Sequence, residues 1–114
     1  MSINWIDGLK EAVKEVKKRV KKAGTRYFDT YEVIYEMLRL EGGKYYAQLL
    51  GKYQNNDHPL RQTNAEIGKQ MVNLAAQLGI AKVKDAETGE DVEVYVYENI
   101  TGNSDKVQLW RITD

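Results

Sequence analysis

Apolar residues recur at helical spacing along the first two thirds of the chain and alternate with polar residues after that. The clearest helical stretch is 64–78. Its apolar residues lie three or four positions apart, at Ile67, Met71, Leu74 and Leu78. Thr63 or Asn64 is the expected N-cap, because either side chain can accept a hydrogen bond from a free backbone amide. Gly79 is expected to end the helix, since glycine tolerates the positive φ found just past a last helical turn.

Residues 3–23 form the first predicted helix, and its apolar residues follow a heptad-like seam. They alternate spacings of three and four, at Ile6, Leu9, Val13, Val16 and Val20. One interpretation is that this seam pairs with a second copy, so that residues 1–24 are a dimerisation helix and the protein is a homodimer. The other is that the seam packs against the protein's own body, because the run is shorter than a coiled coil needs.

Two shorter helices are predicted between these. Residues 25–40 contain one, with Asp29 or Thr30 as its N-cap and Glu32 in the position of a capping box. Residues 45–53 form the next, after a double glycine breaks the chain. Four inward positions of the two most apolar helices are expected to be nearly fully buried: Ile34, Leu38, Leu74 and Leu78.

Three strands are predicted after the last helix, at residues 80–84, 92–97 and 107–112. In the middle one, valines at every second position leave a polar and aromatic opposite face. Residues 85–91 fit a hairpin turn in which Gly89 supplies a positive φ, and residues 98–105 form a second turn. The whole pattern predicts an α+β fold.

Composition excludes several kinds of protein. The chain has no Cys, so disulfides, thiolate catalysis and cysteine-ligated metal sites are excluded. The hydrophobic share of 42% is enough for a packed core. No apolar run approaches the roughly 18 residues of a membrane-spanning helix, and the N-terminus lacks the pattern of a secretory signal. We therefore expect a cytoplasmic protein with no membrane partner.

Charge is balanced overall, with 17 basic and 17 acidic residues, but it is unevenly distributed. Residues 44–84 hold six Lys or Arg against two acidic residues, whereas residues 85–114 hold two against eight. The basic segment favours a polyanionic partner, and the neutral total weakens that case. A cluster in the first helix is either a phosphate-contacting surface or a solvated face: Lys17, Lys18, Arg19, Lys21 and Lys22.

Catalytic patterns are missing from the sequence. His58 is the only histidine, and it lies beside Asp57 in the loop predicted at residues 54–62, where it is best explained as a turn residue. The chain has no phosphate-binding loop and no zinc-protease or dinucleotide-binding motif. The acidic residues near the hairpin do not follow the spacing of a calcium-binding loop. We expect no enzyme, no cofactor and no metal.

The order of these elements resembles the winged helix-turn-helix superfamily. The resemblance covers residues 28–114 and is carried by IGKQMVNLAAQLGIAKVK (67–84) and by the terminal VQLWRIT (107–113). It implies an N-terminal helix and a three-helix core, followed by a two- to three-stranded antiparallel β-wing. Residues 25–114 would then be the winged-helix domain. The turn before helix 64–78 is longer than a helix-turn-helix turn.

In this superfamily, the helix matching residues 64–78 enters the major groove of DNA. The resemblance therefore implies that four side chains lie near the bases: Lys69, Gln70, Asn73 and Gln77. Amides suit adenine edges and a lysine can reach guanine, while Arg61 and Lys82 are placed on phosphates. The predicted function is that of a double-stranded-DNA-binding transcriptional regulator or replication accessory factor.

The charge of the predicted wing favours an alternative to DNA binding. The loop that would be the wing, residues 85–91, reads DAETGED and is acidic, whereas a wing that grips phosphate is usually basic. A protein partner contacting this acidic hairpin is the rival hypothesis. The chain would then be a non-enzymatic protein–protein interaction module that keeps the fold without binding DNA.

Overall fold

A computed structural model describes residues 4–98 and 103–114, which fold into four α-helices and four β-strands. The helices are α1 (Trp5–Lys22), α2 (Thr30–Arg39), α3 (Lys44–Lys52) and α4 (Pro59–Leu78). The strands are β1 (Tyr27–Asp29), β2 (Ile80–Lys82), β3 (Glu93–Glu98) and β4 (Asn103–Ile112). A short 3₁₀ turn, Leu40–Gly43, joins α2 to α3. The α+β class is therefore confirmed.

β4 is the strand on which the sheet is built. β1 pairs with it antiparallel on one edge, and β2 pairs with it on the other. β3 continues along the same edge as β2, because Leu109 accepts a hydrogen bond from Val83 and donates one to Val92. Residues 84–91 loop out between β2 and β3 and are closed by a bridge between Lys84 and Asp91.

The three predicted strands are present, with shifted bounds, and one strand was missed. β1 has three residues, too few to show the alternation by which strands are recognised. The predicted turn at Gly89 is confirmed, with φ of 74°. Half of the second predicted turn, residues 99–102 of 98–105, lies outside the described residues, and the other half belongs to β3 and β4.

The seam of α1 packs inside the chain's own core. Leu9, Val13 and Val16 are at most 1% exposed, and Val20 is 6% exposed. These side chains share one hydrophobic cluster with residues of α2, α3, α4 and the sheet. Of the two interpretations, packing of the seam against the protein's own body is therefore the one that the structure shows, and the homodimer stays a prediction.

The helix ends are set by local chemistry. Asp29 and Glu32 form the predicted capping box, each side chain accepting a hydrogen bond from the other's backbone amide. Gly79 ends α4 in the left-handed region, with φ of 69°. The predicted N-cap of α4 is wrong. The helix begins at Pro59, a residue favoured in the first helical turn, and Thr63 donates its hydroxyl to the Pro59 carbonyl at 2.7 Å.

The core is centred on Trp110 of β4, which is fully buried. Its indole N–H donates to the Thr30 hydroxyl at 2.9 Å and so ties β4 to the start of α2. Ile34 and Leu78 are buried as predicted. Leu38 and Leu74 are only partly buried at the margin of the core, so that part of the prediction is wrong.

α1 and α3 are in close contact at Gly8, which supports a first prediction. A Cβ at Gly8 would overlap the Cβ and ring carbons of Tyr45, which are not the far end of a flexible side chain. Gly8→Ala should therefore lower the free energy of unfolding by about 1–3 kcal/mol through overpacking. Urea unfolding of both proteins measures the change.

The matched control is Gly51→Ala in α3, where a Cβ meets nothing within 4 Å. Alanine in an open helical position should raise the free energy of unfolding by about 0.5–1 kcal/mol. A Gly8→Ala variant that is stabilised like the control would contradict the packing of α1 on α3.

Candidate nucleic-acid interface

A groove of about 350 Å³ lies between α4 and the sheet. Its apolar lining comes from α2, α4 and β4 and includes Ile34, Val72, Val107 and Trp110. Four cationic side chains also line it: Arg61, Lys69, Lys82 and Lys106. Among the described residues that line the groove, none is acidic. The groove therefore combines apolar walls with a strongly positive rim.

The four cations differ in how far the protein itself neutralises them. Arg61 and Lys69 are exposed on α4, and neither forms an ion pair with a carboxylate in the part of the chain that the structure describes. Lys82 pairs with Asp91 at 2.9 Å. The Lys106 ammonium lies 5.1 Å from the ring centre of Tyr95, a cation–π distance. The positive potential is therefore least compensated along α4.

Three of the six residues predicted to contact DNA meet at this groove, although they come from different elements. Arg61 and Lys69 reach it from α4, and Lys82 reaches it from β2. Lys106 was missed by the sequence reasoning. A signal for it existed, because residues two apart on a strand share a face, which puts Lys106 on the same side of β4 as Trp110.

The three amides of the predicted set lie elsewhere on α4. Asn73 is exposed and does not line the groove, while Gln70 is partly buried. Gln77 borders a separate depression shared with lysines of α1. Each residue turns a helix by about 100°, so Gln70 points well away from its neighbour Lys69. Gln70, Asn73 and Gln77 share one side of α4 through their spacing of three and four, but none of them lines the groove.

Two carboxylates of the acidic loop 85–91 bind groups of the protein itself. Asp91 contacts both Lys82 and Lys84, the latter at 3.1 Å, and these hydrogen bonds hold the pKa of Asp91 below its ordinary value. Asp85 accepts hydrogen bonds from the backbone amides of Thr88 and Glu87, which lower the pKa of its carboxyl group. Both groups therefore stay ionised while they organise the loop.

The basic cluster of α1 is partly neutralised within the chain. Lys17 binds the Leu78 carbonyl at 2.8 Å and the Asp114 carboxylate at 2.7 Å, which lowers the pKa of Asp114. Arg19 pairs with the nearly buried Glu36. Lys18 is exposed. Much of this cluster thus holds the fold together, which leaves a smaller solvated part.

No family model, curated protein or solved structure matches this chain. Among the described residues, no helix has the length and apolar character needed to cross a membrane. The groove and the surfaces beside it are therefore the features of the molecule that indicate a function.

Proposed function

We propose that the protein binds double-stranded DNA through α4 and the adjoining β-ribbon, as a winged-helix transcriptional regulator or replication accessory factor. The observation that carries the proposal is the positive groove. Four cations from three elements line it, and no described lining residue is acidic. Phosphate neutralisation by Lys and Arg supplies most of non-specific DNA affinity.

The dimensions of α4 suit the major groove. The helix has 20 residues, a length of about 30 Å, and the major groove is about 12 Å wide and admits a helix. Asn73 and Lys69 are exposed on α4. The nearest acidic residue of the helix, Glu66, is mostly buried and lies 3.6 Å from Lys52. An approaching duplex would thus meet amide and cationic groups.

The groove beside α4 would then hold one phosphate backbone. With α4 in the major groove, the strand of phosphates bordering it falls between the helix and the sheet, where Lys82 and Lys106 lie. The ribbon of β3 and β4 would act as the wing in place of the loop 85–91. Under this assignment the acidic loop 85–91 need not touch phosphate, and Lys106 is the cation that the ribbon brings to the backbone.

Titration of random duplex DNA over a range of salt concentrations tests this proposal. The logarithm of the association constant should fall linearly with the logarithm of salt, by about 0.9 for each phosphate contacted. Lys82→Ala should weaken all duplexes alike and make that slope shallower by about one unit. Lys18→Ala, an exposed lysine on α1, is the control that should leave the slope unchanged.

Two results would contradict the proposal. One is the absence of duplex binding at about 50 mM salt with about 10 µM protein, conditions that favour even non-specific association. The other is a larger loss from Lys18→Ala than from Lys82→Ala, which would move the contact surface to α1.

A protein–protein interaction module is the second candidate. The observation that favours it is exposed apolar surface at the groove and ribbon, where Val72 is 46% exposed and Tyr95 is 74% exposed. Interface centres are enriched in aromatic side chains. Under this alternative the same face of α4 contacts a protein, and binding shows little of the steep salt dependence of duplex DNA.

A further inference from the structure

The groove between α4 and the sheet has the size of a small-molecule site. Its volume of about 350 Å³ lies at the lower end of the range for such sites, which is about 300–1,000 Å³. A protein partner would cover a much broader surface, of about 800 Å² on each side, of which this groove would be only a part. The groove is therefore better matched to a compact ligand than to a folded partner.

Its chemistry points to a ligand with an apolar body and one negative end. Val72 is 46% exposed on the groove wall, and covering it with an apolar group is favourable because the group removes that surface from water. Arg61 and Lys69 present charges that no described carboxylate pairs with. A guanidinium can bind both oxygens of one carboxylate.

A buried amide adds a third feature. Asn64 also lines the groove, and its Oδ1 atom accepts a hydrogen bond from the Tyr46 hydroxyl at 2.7 Å. Its Nδ2 atom is buried and has no acceptor among the described residues. An unpaired buried donor is unfavourable, so the Asn64 amide is an unsatisfied polar group beside the groove.

We propose that this groove binds a small apolar carboxylate, with the body of the ligand against Val72 and Val107 and its carboxylate between Arg61 and Lys69. The inference goes beyond DNA binding and does not depend on it. If the protein binds both duplex DNA and such a carboxylate, the two ligands contact the same two cations, Arg61 and Lys69. An apolar acid then lowers the affinity of the protein for duplex DNA.

Titration with naphthoate, followed by NMR of isotope-labelled protein without DNA, tests the proposal. The indole N–H of Trp110 is a reporter because it is fixed on Thr30 at the groove, and Trp5→Phe removes the other indole signal. Naphthoate should shift the Trp110 indole and Gly68 amide signals, with a dissociation constant of about 1 mM or lower. Naphthylmethanol, which has no charge, should bind at least about tenfold more weakly.

Matched variants locate the site. Ala65 and Ala76 are both exposed on α4, but only Ala65 is among the lining residues. Ala65→Phe should fill the groove and abolish the shifts, whereas Ala76→Phe should leave the dissociation constant unchanged. Lys69→Gln should weaken naphthoate about tenfold while leaving naphthylmethanol nearly unaffected.

Three outcomes would overturn the proposal. They are the absence of shifts at millimolar naphthoate, shifts that survive Ala65→Phe, and equal binding of the acid and the alcohol. Because no DNA is present in this titration, a protein that fails to bind duplexes can still bind naphthoate. The two proposals therefore fail separately.

Discussion

Trp110→Ala should lower the free energy of unfolding by about 3–5 kcal/mol, the cost usual for truncating a fully buried aromatic side chain. Trp110 is 0% exposed and lies near the C-terminal end of β4, between Phe28 of β1 and Lys82 of β2. Its loss also removes the 2.9 Å hydrogen bond to Thr30. Since small domains have a total stability of about 5–15 kcal/mol, the variant should be close to unfolding. Chemical denaturation followed by circular dichroism measures the change.

Two further tryptophan variants separate the contributions to this loss. Trp110→Phe keeps an aromatic ring but removes the indole donor, and it should cost less than the alanine variant. Trp5→Ala is the positional control, because Trp5 is only partly buried at the margin of the core. A loss below about 1 kcal/mol for Trp110→Ala would show that this side chain is not central to the core.

Reversing two charges on α4 should have the largest effect on DNA affinity. Arg61→Glu combined with Lys69→Glu replaces the two cations that no described carboxylate compensates with two anions at the same groove. Duplex binding should weaken by at least about 100-fold at low salt, and the salt slope should become shallower by about two units. Fluorescence anisotropy with labelled duplex DNA measures both quantities.

The control carries the same change in net charge on another surface. Lys18→Glu combined with Lys22→Glu alters two exposed lysines at the end of α1. It should weaken DNA binding far less, because screening limits the reach of a surface charge to about 10 Å at moderate salt. Equal losses in the two double variants would mean that affinity follows net charge and that α4 is not the contact surface.

Features that depend on neighbouring residues were predicted correctly from the sequence. In the capping box, Asp29 and Glu32 are three positions apart. The end of α4 at Gly79 and the turn at Gly89 each depend on the backbone freedom of one glycine. The α4 N-cap was the exception. Thr63 is a good capping residue, but Pro59 four positions earlier also suits a first helical turn, and the longer helix buries Thr63 completely.

At the candidate site, too, some residues were predicted from the sequence, whereas others were placed by the tertiary structure. The cationic residues Arg61, Lys69 and Lys82 were identified from their types and positions, and they do come together. Lys106 joins them only because β4 crosses the sheet beside β2. Gln70, Asn73 and Gln77 were grouped because their spacing puts them on one side of α4, but none of them lines the groove, and Gln77 borders a depression beside α1 instead.

By itself, the sequence determined the α+β class, the apolar faces of the helices and the places where several of them end, because these follow from side-chain periodicity and local hydrogen bonding. Only the tertiary structure decided what each apolar face packs against. The seam of α1 is buried by its own chain, and Gly8 lets α3 approach. β1 is a strand because the edge of β4 supplies its hydrogen-bond partners. A periodic pattern shows that a face avoids water, but the partner that covers it is set by contacts between residues far apart in the chain.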